Sequence, residues 1–249
     1  MRQPKLLALL AVLTLPWGCD RPDVSAIAAA QPQDEPRWTE PPGPDTPETQ
    51  ALLERIGKTL ESGTADVSAV LTDPAWLPLH ERTSFRELIA RHAKSPRVKI
   101  VTPREPGDRL VVTGMLRQAG GQPLAGALVY VYQTDARGWY SDRAPHFSGG
   151  EGDHRHARLF GYLKTGADGR FEVDTIRPQG YPRSTLPQHI HLQVFVDGQS
   201  RLVSEINFED DPRMTPSVRR QSEQSGFYVV PVEHGADGVQ RCRVDITLR

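Results

Sequence analysis

Apolar positions along the chain change their period twice. Residues 6–17 form one apolar stretch behind Arg2 and Lys5, and a polar, proline-rich stretch follows. From Thr46-Pro47, a helix cap with proline at the first helical position, Leu52, Leu53, Ile56 and Leu60 recur at helical spacing. A second helix is predicted over 84–94, where Ser84 and Glu87 make a capping box and Phe85, Leu88 and Ile89 an apolar face. From Val98 the period becomes two. Segments 109–116, 127–133, 160–165, 170–176, 189–196, 201–208, 227–232 and 242–248 read as strands. Gly120-Gly121, Gly126, Ala167-Asp168-Gly169 and Asp197-Gly198 punctuate them as turns. Short strands without helices among them predict a mainly β fold, an antiparallel β-sandwich with a short N-terminal helical segment. Residues 143–158 break the pattern, with Gly149, Gly150 and Gly152 beside His146, His154 and His156, and read as a long loop.

The first apolar stretch is an address. A basic end, a short apolar core and Gly18-Cys19 at its exit make a secretory signal. The exit is similar to a bacterial lipoprotein signal, so Cys19 is the expected lipidated residue and membrane tether, with Pro16 standing where Leu is usual. Ala28-Ala29-Ala30 is the rival cleavage site. The expected organisation is a signal at 1–19, a stiff, unfolded linker at 20–46, a helical segment at 47–96 and the sandwich at 97–249, in a protein exported to the periplasm or anchored at a membrane. The helical segment reads as packing surface, which leaves a homo-oligomer open. Composition narrows the class further. Lys and Arg number 30 against 31 Asp and Glu, so no basic footprint for nucleic acid exists. Cys19 and Cys242, the two cysteines, exclude a disulfide framework and an all-cysteine metal cluster.

Candidate chemistry gathers between Tyr140 and His191. In a strand, His189 and His191 share a face with backbones about 7 Å apart, which suits adjacent positions on one metal as well as a polar strand face. Tyr140 follows Gly138-Trp139, and Tyr181 lies between Gly180 and Pro182. Taken singly, each tyrosine reads equally as a ring packed at a corner with its phenol on the backbone.

Taken together, these motifs resemble those of the intradiol ring-cleavage dioxygenases, the family of catechol and protocatechuate dioxygenases. The matching text runs over 109–212: Val112 to Gly114 with Pro123 to Ala127, Val129-Tyr130-Val131-Tyr132-Gln133-Thr134-Asp135, Gly138-Trp139-Tyr140, Thr175-Ile176-Arg177-Pro178, Gly180-Tyr181-Pro182 and Pro187-Gln188-His189-Ile190-His191. The resemblance implies a mononuclear Fe(III) held by Tyr140, Tyr181, His189 and His191, with an aromatic diol and O2 as substrates. Phenolate oxygen and imidazole nitrogen are hard enough donors for that ion. Two phenolates and two neutral imidazoles leave the ferric ion one positive charge, which a hydroxide cancels. A catechol dianion replacing the hydroxide and Tyr181 keeps the buried site neutral, and the departing groups accept the catechol protons.

Two positions depart from the family pattern. Leu186 stands where Arg is usual, three residues before the first ligand histidine, and Arg183 is the upstream candidate to reach that place as a catalytic residue. Glu205 stands where Gln is frequent, and brings negative charge near an anionic catecholate. Two other readings remain: a catalytically silent exported binding module, and a zinc hydrolase built on His189, His191 and one of His146, His154 or His156.

Overall fold

The computed structural model describes residues 37–38, 42–147 and 152–249. The signal and lipidation reading of residues 1–19, Cys19 included, lies outside them. Among the described residues, no helix is long and apolar enough to cross a membrane.

Thr46 caps the first helix, α1 (Pro47–Glu61), accepting from the Thr49 amide at 3.3 Å, and Ile56 and Leu60 point into the core. Asp66 caps α2 (Val67–Thr72), and Asp73 caps a 3₁₀ turn at Pro74–Leu79. Helix α3 spans Thr83–His92 and buries Phe85, Leu88 and Ile89 as expected. Its capping box does not form. Arg82 occupies the cap position, so Ser84 sits one step inside the helix and its buried hydroxyl has no hydrogen-bond partner.

Two five-stranded sheets make the sandwich. One runs β10 (Tyr228–Val230), β9 (Gln199–Phe208), β8 (His189–Val196), β4 (Leu128–Gln133) and β6 (Leu159–Lys164). The other runs β11 (Val232–His234), β12 (Gln240–Thr247), β3 (Arg109–Arg117), β7 (Arg170–Ile176) and β2 (Arg97–Lys99). The sheets are mixed and not wholly antiparallel: β9–β10, β3–β12 and β2–β7 pair in parallel. Each parallel pair joins strands separated by a long return of the chain, as parallel pairing requires. Between β9 and β10 that return contains a helix, α5 (Pro216–Gln224), that hydrophobic periodicity does not reveal. Ser222 is its one buried residue, although Thr215-Pro216 repeats the Thr46-Pro47 capping signal.

The inner faces close one core. Val129, Val131, Ile190, Leu192, Val194 and Ile206 meet Leu110, Val112, Phe171, Val173, Val244 and Ile246. Gly114 exists for this packing, because a Cβ there would lie 2.1 Å from the Phe171 ring. Ile56, Leu60, Phe85 and Ile89 belong to the same cluster, so the helical segment is part of the sandwich core. The loop of 143–158 contains a two-residue strand, β5 (His146–Phe147), and a short helix, α4 (Gly152–His156). A further strand, β1 (Arg37–Trp38), pairs in parallel with β5. Of the linker expected at 20–46, residues 37–38 form this strand, and residues 20–36 and 39–41 lie outside the described residues.

Candidate metal centre

The site lies on the face of the first sheet that points away from the core. Period two sends Ile190, Leu192 and Val194 inward and His189 and His191 outward from β8. Register then sets His191 beside Tyr132 of β4 and Glu205 of β9, all on that outer face.

Two corners deliver the tyrosines. After β4, the Asp135 carboxylate accepts from the amides of Arg137 and Trp139 at 2.8 and 3.1 Å, and Gly138 turns with φ +82°. Tyr140 is pinned on both sides: its amide donates to the Pro145 carbonyl, and its carbonyl accepts from the Arg158 amide. The second corner, Gly180-Tyr181-Pro182, packs directly on the first. A Cβ on Gly138 would lie 2.3 Å from the Gly180 carbonyl oxygen, so glycine is required.

All four donors expected from the sequence meet. Tyr140 Oη lies 2.6 Å from Tyr181 Oη and 2.7 Å from His191 Nε2. Tyr181 Oη lies 2.9 Å from His189 Nε2. The tyrosines are 1% and 2% exposed. His189 Nδ1 lies 2.8 Å from the Pro187 carbonyl, which can only accept. Nδ1 therefore carries the proton, and Nε2 turns its lone pair toward Tyr181. Burial, then the neighbouring Tyr181, push the Tyr140 phenol well above its ordinary range. Burial, with His189 next, pushes His191 well below. Both groups are therefore held neutral unless a cation enters. Two phenol oxygens and two imidazole nitrogens in contact are the donor set a hard, highly charged ion requires, so these residues fit ferric iron.

The other histidines find separate partners. His146 Nδ1 lies 2.8 Å from Asp153 Oδ2, and its ring stands edge-on to Tyr181 with centroids 4.4 Å apart. His156 Nδ1 meets the Glu81 carbonyl at 2.6 Å. His154 lies edge-on to Tyr130 and Tyr132. Among the described residues, the metal-competent group of histidine, cysteine and carboxylate donors is His189, His191 and Glu205, their ligand atoms within 4.8 Å of one another. The three-histidine zinc arrangement is therefore not formed.

Arg183 sits on the turn after Tyr181, exposed, with φ +57°. The guanidinium beside Leu186 belongs to Arg213, whose Nη1 donates to the Leu186 carbonyl at 3.2 Å and occupies the space a Gly180 side chain would need. Tyr132, stacked on His191 at 4.3 Å and 10°, is a site residue that sequence reasoning missed. Its signal was present in the alternation of Tyr130 and Tyr132 along one strand.

A family model described as Dioxygenase matches residues 81–245. The chain is 32% identical over 128 residues to catechol 1,2-dioxygenase 1 of Acinetobacter lwoffii, covering 45% of this chain and 40% of that protein. It is 32% identical over 151 residues to the protocatechuate 3,4-dioxygenase beta chain of Burkholderia cepacia, covering 52% and 60%. The match thus spans about half the length of these relatives. Among solved structures, the dioxygenase domain of a dioxygenase carbohydrate-binding protein fusion from Streptomyces sp. SirexAA-E is 26% identical, with a TM-score of 0.47, covering 63% of this chain and 88% of that one.

Proposed function

Because the chain belongs to the intradiol ring-cleavage dioxygenase family, we propose that it is a non-haem Fe(III) dioxygenase that opens an aromatic ortho-diol with O2 to a muconate-type diacid. One observation carries this reading: the buried convergence of Tyr140 Oη, Tyr181 Oη, His189 Nε2 and His191 Nε2. These four side chains would hold the iron. A bound ferric ion supplies the electron acceptance that opens a diol carbon to O2. The carbon–carbon bond between the two hydroxylated carbons breaks and both oxygen atoms enter the product, so no external reductant is consumed.

The protein's part is to bind, orient and move protons. Tyr181 is the proposed mobile group, giving way to the diol and taking a diol proton at Oη. Tyr140, tied by hydrogen bonds through its amide and carbonyl, stays in place. His189 keeps its orientation through the Pro187 carbonyl. Phe147, Ala157 and Leu186 pack around the tyrosines and keep water from the reacting face. Arg183, on the exposed side of the Tyr181 corner, is the proposed first contact for the diol. Tyr181→Phe tests the scheme, since it keeps the ring and removes both ligand and base. Visible absorption of the iron-loaded protein should shift, and oxygen uptake with catechol should fall about 10²-fold or more. An unchanged resting spectrum would take Tyr181 off the metal and leave a silent binding module as the better reading.

The N-terminus completes the proposal: the signal exports the chain and a lipidated Cys19 tethers it through a proline-rich spacer. Cys19→Ser should move the protein out of the membrane fraction, and a parent already soluble would refute the tether.

A further inference from the structure

The two histidines of the centre are backed differently. His189 Nδ1 meets a neutral acceptor, the Pro187 carbonyl, at 2.8 Å. His191 Nδ1 instead faces a carboxylate, with Glu205 Oε1 at 3.6 Å, while Nε2 of the same ring lies 2.7 Å from Tyr140 Oη. The imidazole is thus set between a phenol and a carboxylate. Register makes this arrangement a property of the sheet, because His191 and Glu205 stand directly opposite in the β8–β9 pair. The Glu205 side chain is 13% exposed, and among the described residues its ion-pair partner is His191, with no Lys or Arg. A carboxylate placed so deep without a guanidinium or ammonium is costly unless another positive charge compensates it. The charge available is that of the proposed metal, whose ligands include two of the three donors gathered within 4.8 Å.

We infer that Glu205 is a positioning and specificity residue: it orients His191 toward the metal and restricts the substrate to ortho-diols whose ring carries no anionic group. The inference rests on the ferric dioxygenase reading. Two effects follow from one carboxylate. A carboxylate facing Nδ1 favours the tautomer protonated there, which leaves the Nε2 lone pair on the metal side and makes the imidazole a stronger donor, as a carboxylate behind a metal-bound histidine does. The same fixed charge repels a second negative group on a diol seated at the metal, beyond the charge that the diol oxygens already bring.

The test uses the full chain loaded with iron and compares the parent with Glu205→Gln and Glu205→Asp. Three quantities are read: iron retained against a chelator, the visible charge-transfer band, and KM for catechol against KM for 3,4-dihydroxybenzoate. In Glu205→Gln, iron should be lost roughly 10–100-fold more readily. The band should shift, and the ratio of the two KM values should move about tenfold or more in favour of the carboxylated diol. Glu205→Asp keeps the charge on a shorter arm, so it should preserve the parent's KM ratio while losing some grip on iron. It also carries the test if Glu205→Gln does not fold. A parent that turns over catechol, with variants unchanged in iron retention and KM ratio, overturns the role of Glu205 alone. A parent that takes up no iron and consumes no O2 with either diol overturns the dioxygenase reading and this inference together.

Discussion

The two sheets turn similar apolar faces inward and differ in what lies outside. In the sheet containing β3, β7 and β12, strand β12 alternates strictly: Gln240, Cys242, Val244 and Ile246 are buried, while Arg241, Arg243, Asp245 and Thr247 are exposed. Its outer face carries solvent ion pairs, such as Arg97 with Glu172 and Lys99 with Asp174, and the first of these lines a concavity of about 410 Å³. In the sheet containing β4, β6 and β8, the outer face is roofed. Arg86 of α3 donates to the Tyr130 hydroxyl at 2.9 Å and lies over the Phe160 ring at 3.8 Å. His80 stacks on Phe85 beside Phe160. Burial of this outer face extends the core, since Tyr130 and Phe160 join the cluster that contains Phe85 and Ile89. It creates a dry place where phenols and imidazoles lie in contact. Candidate chemistry thus sits on the outer side of the strands, away from the packing between the sheets.

Breaking the roofed face should abolish chemistry first. His189→Ala removes one of four proposed ligands from an otherwise intact strand. Iron occupancy by metal analysis should collapse, and activity fall by at least about 10²-fold, with a smaller loss in thermal stability. Iron binding equal to the parent's would mean that β8 does not carry the site. Truncation in the other sheet should do the reverse. Phe171→Ala leaves a cavity against Gly114 and should cost about 3–5 kcal/mol in denaturant unfolding, with turnover per folded, iron-loaded molecule preserved. A comparable loss of specific activity would show that the sheets are not energetically separable.

A third difference appears with pH. Burial holds His80 neutral, lowering its pKa from 6.5 to about 4, with its Nδ1 on the Arg158 carbonyl and its Nε2 without a hydrogen-bond partner. The unfolded chain takes up this proton near pH 6.5 and the folded chain near 4, so the unfolded state binds more protons in between. Stability should fall as pH drops through that window, by about 3 kcal/mol. In His80→Phe, that part of the slope should vanish; an unchanged slope would assign the pH dependence elsewhere. Smallest of all, the solvent pair Arg243 and Asp245, 3.0 Å apart on the open face, should contribute no more than about 0.5 kcal/mol to a double-mutant cycle.

The sandwich was legible because alternation and glycine turns are local properties. Segment 170–176, read from period two, matches β7 residue for residue. Elements held by distant partners were not legible. Strands β1 and β5 are two residues each and exist only because they pair. Ser84 and Glu87 satisfied the capping pattern, yet the helix starts at Thr83 behind Arg82, so Ser84 lies inside its first turn. In the site, Tyr140, Tyr181, His189 and His191 were readable as motif text. Glu205 was readable as an unusual charge, but its place opposite His191 depends on strand register, which no spacing along the chain encodes. Arg213 was invisible for the same reason, lying 27 residues from Leu186.

The contact between Gly138 and Gly180 makes the two tyrosine corners a single mutational unit. A side chain at Gly138 would meet the backbone of the second corner, which no rotamer change can relieve. Damage at one corner therefore displaces the other, and repair must come from a coordinated backbone shift in both. Anyone moving this centre into another sandwich has to transplant the corners as a pair, with their glycines.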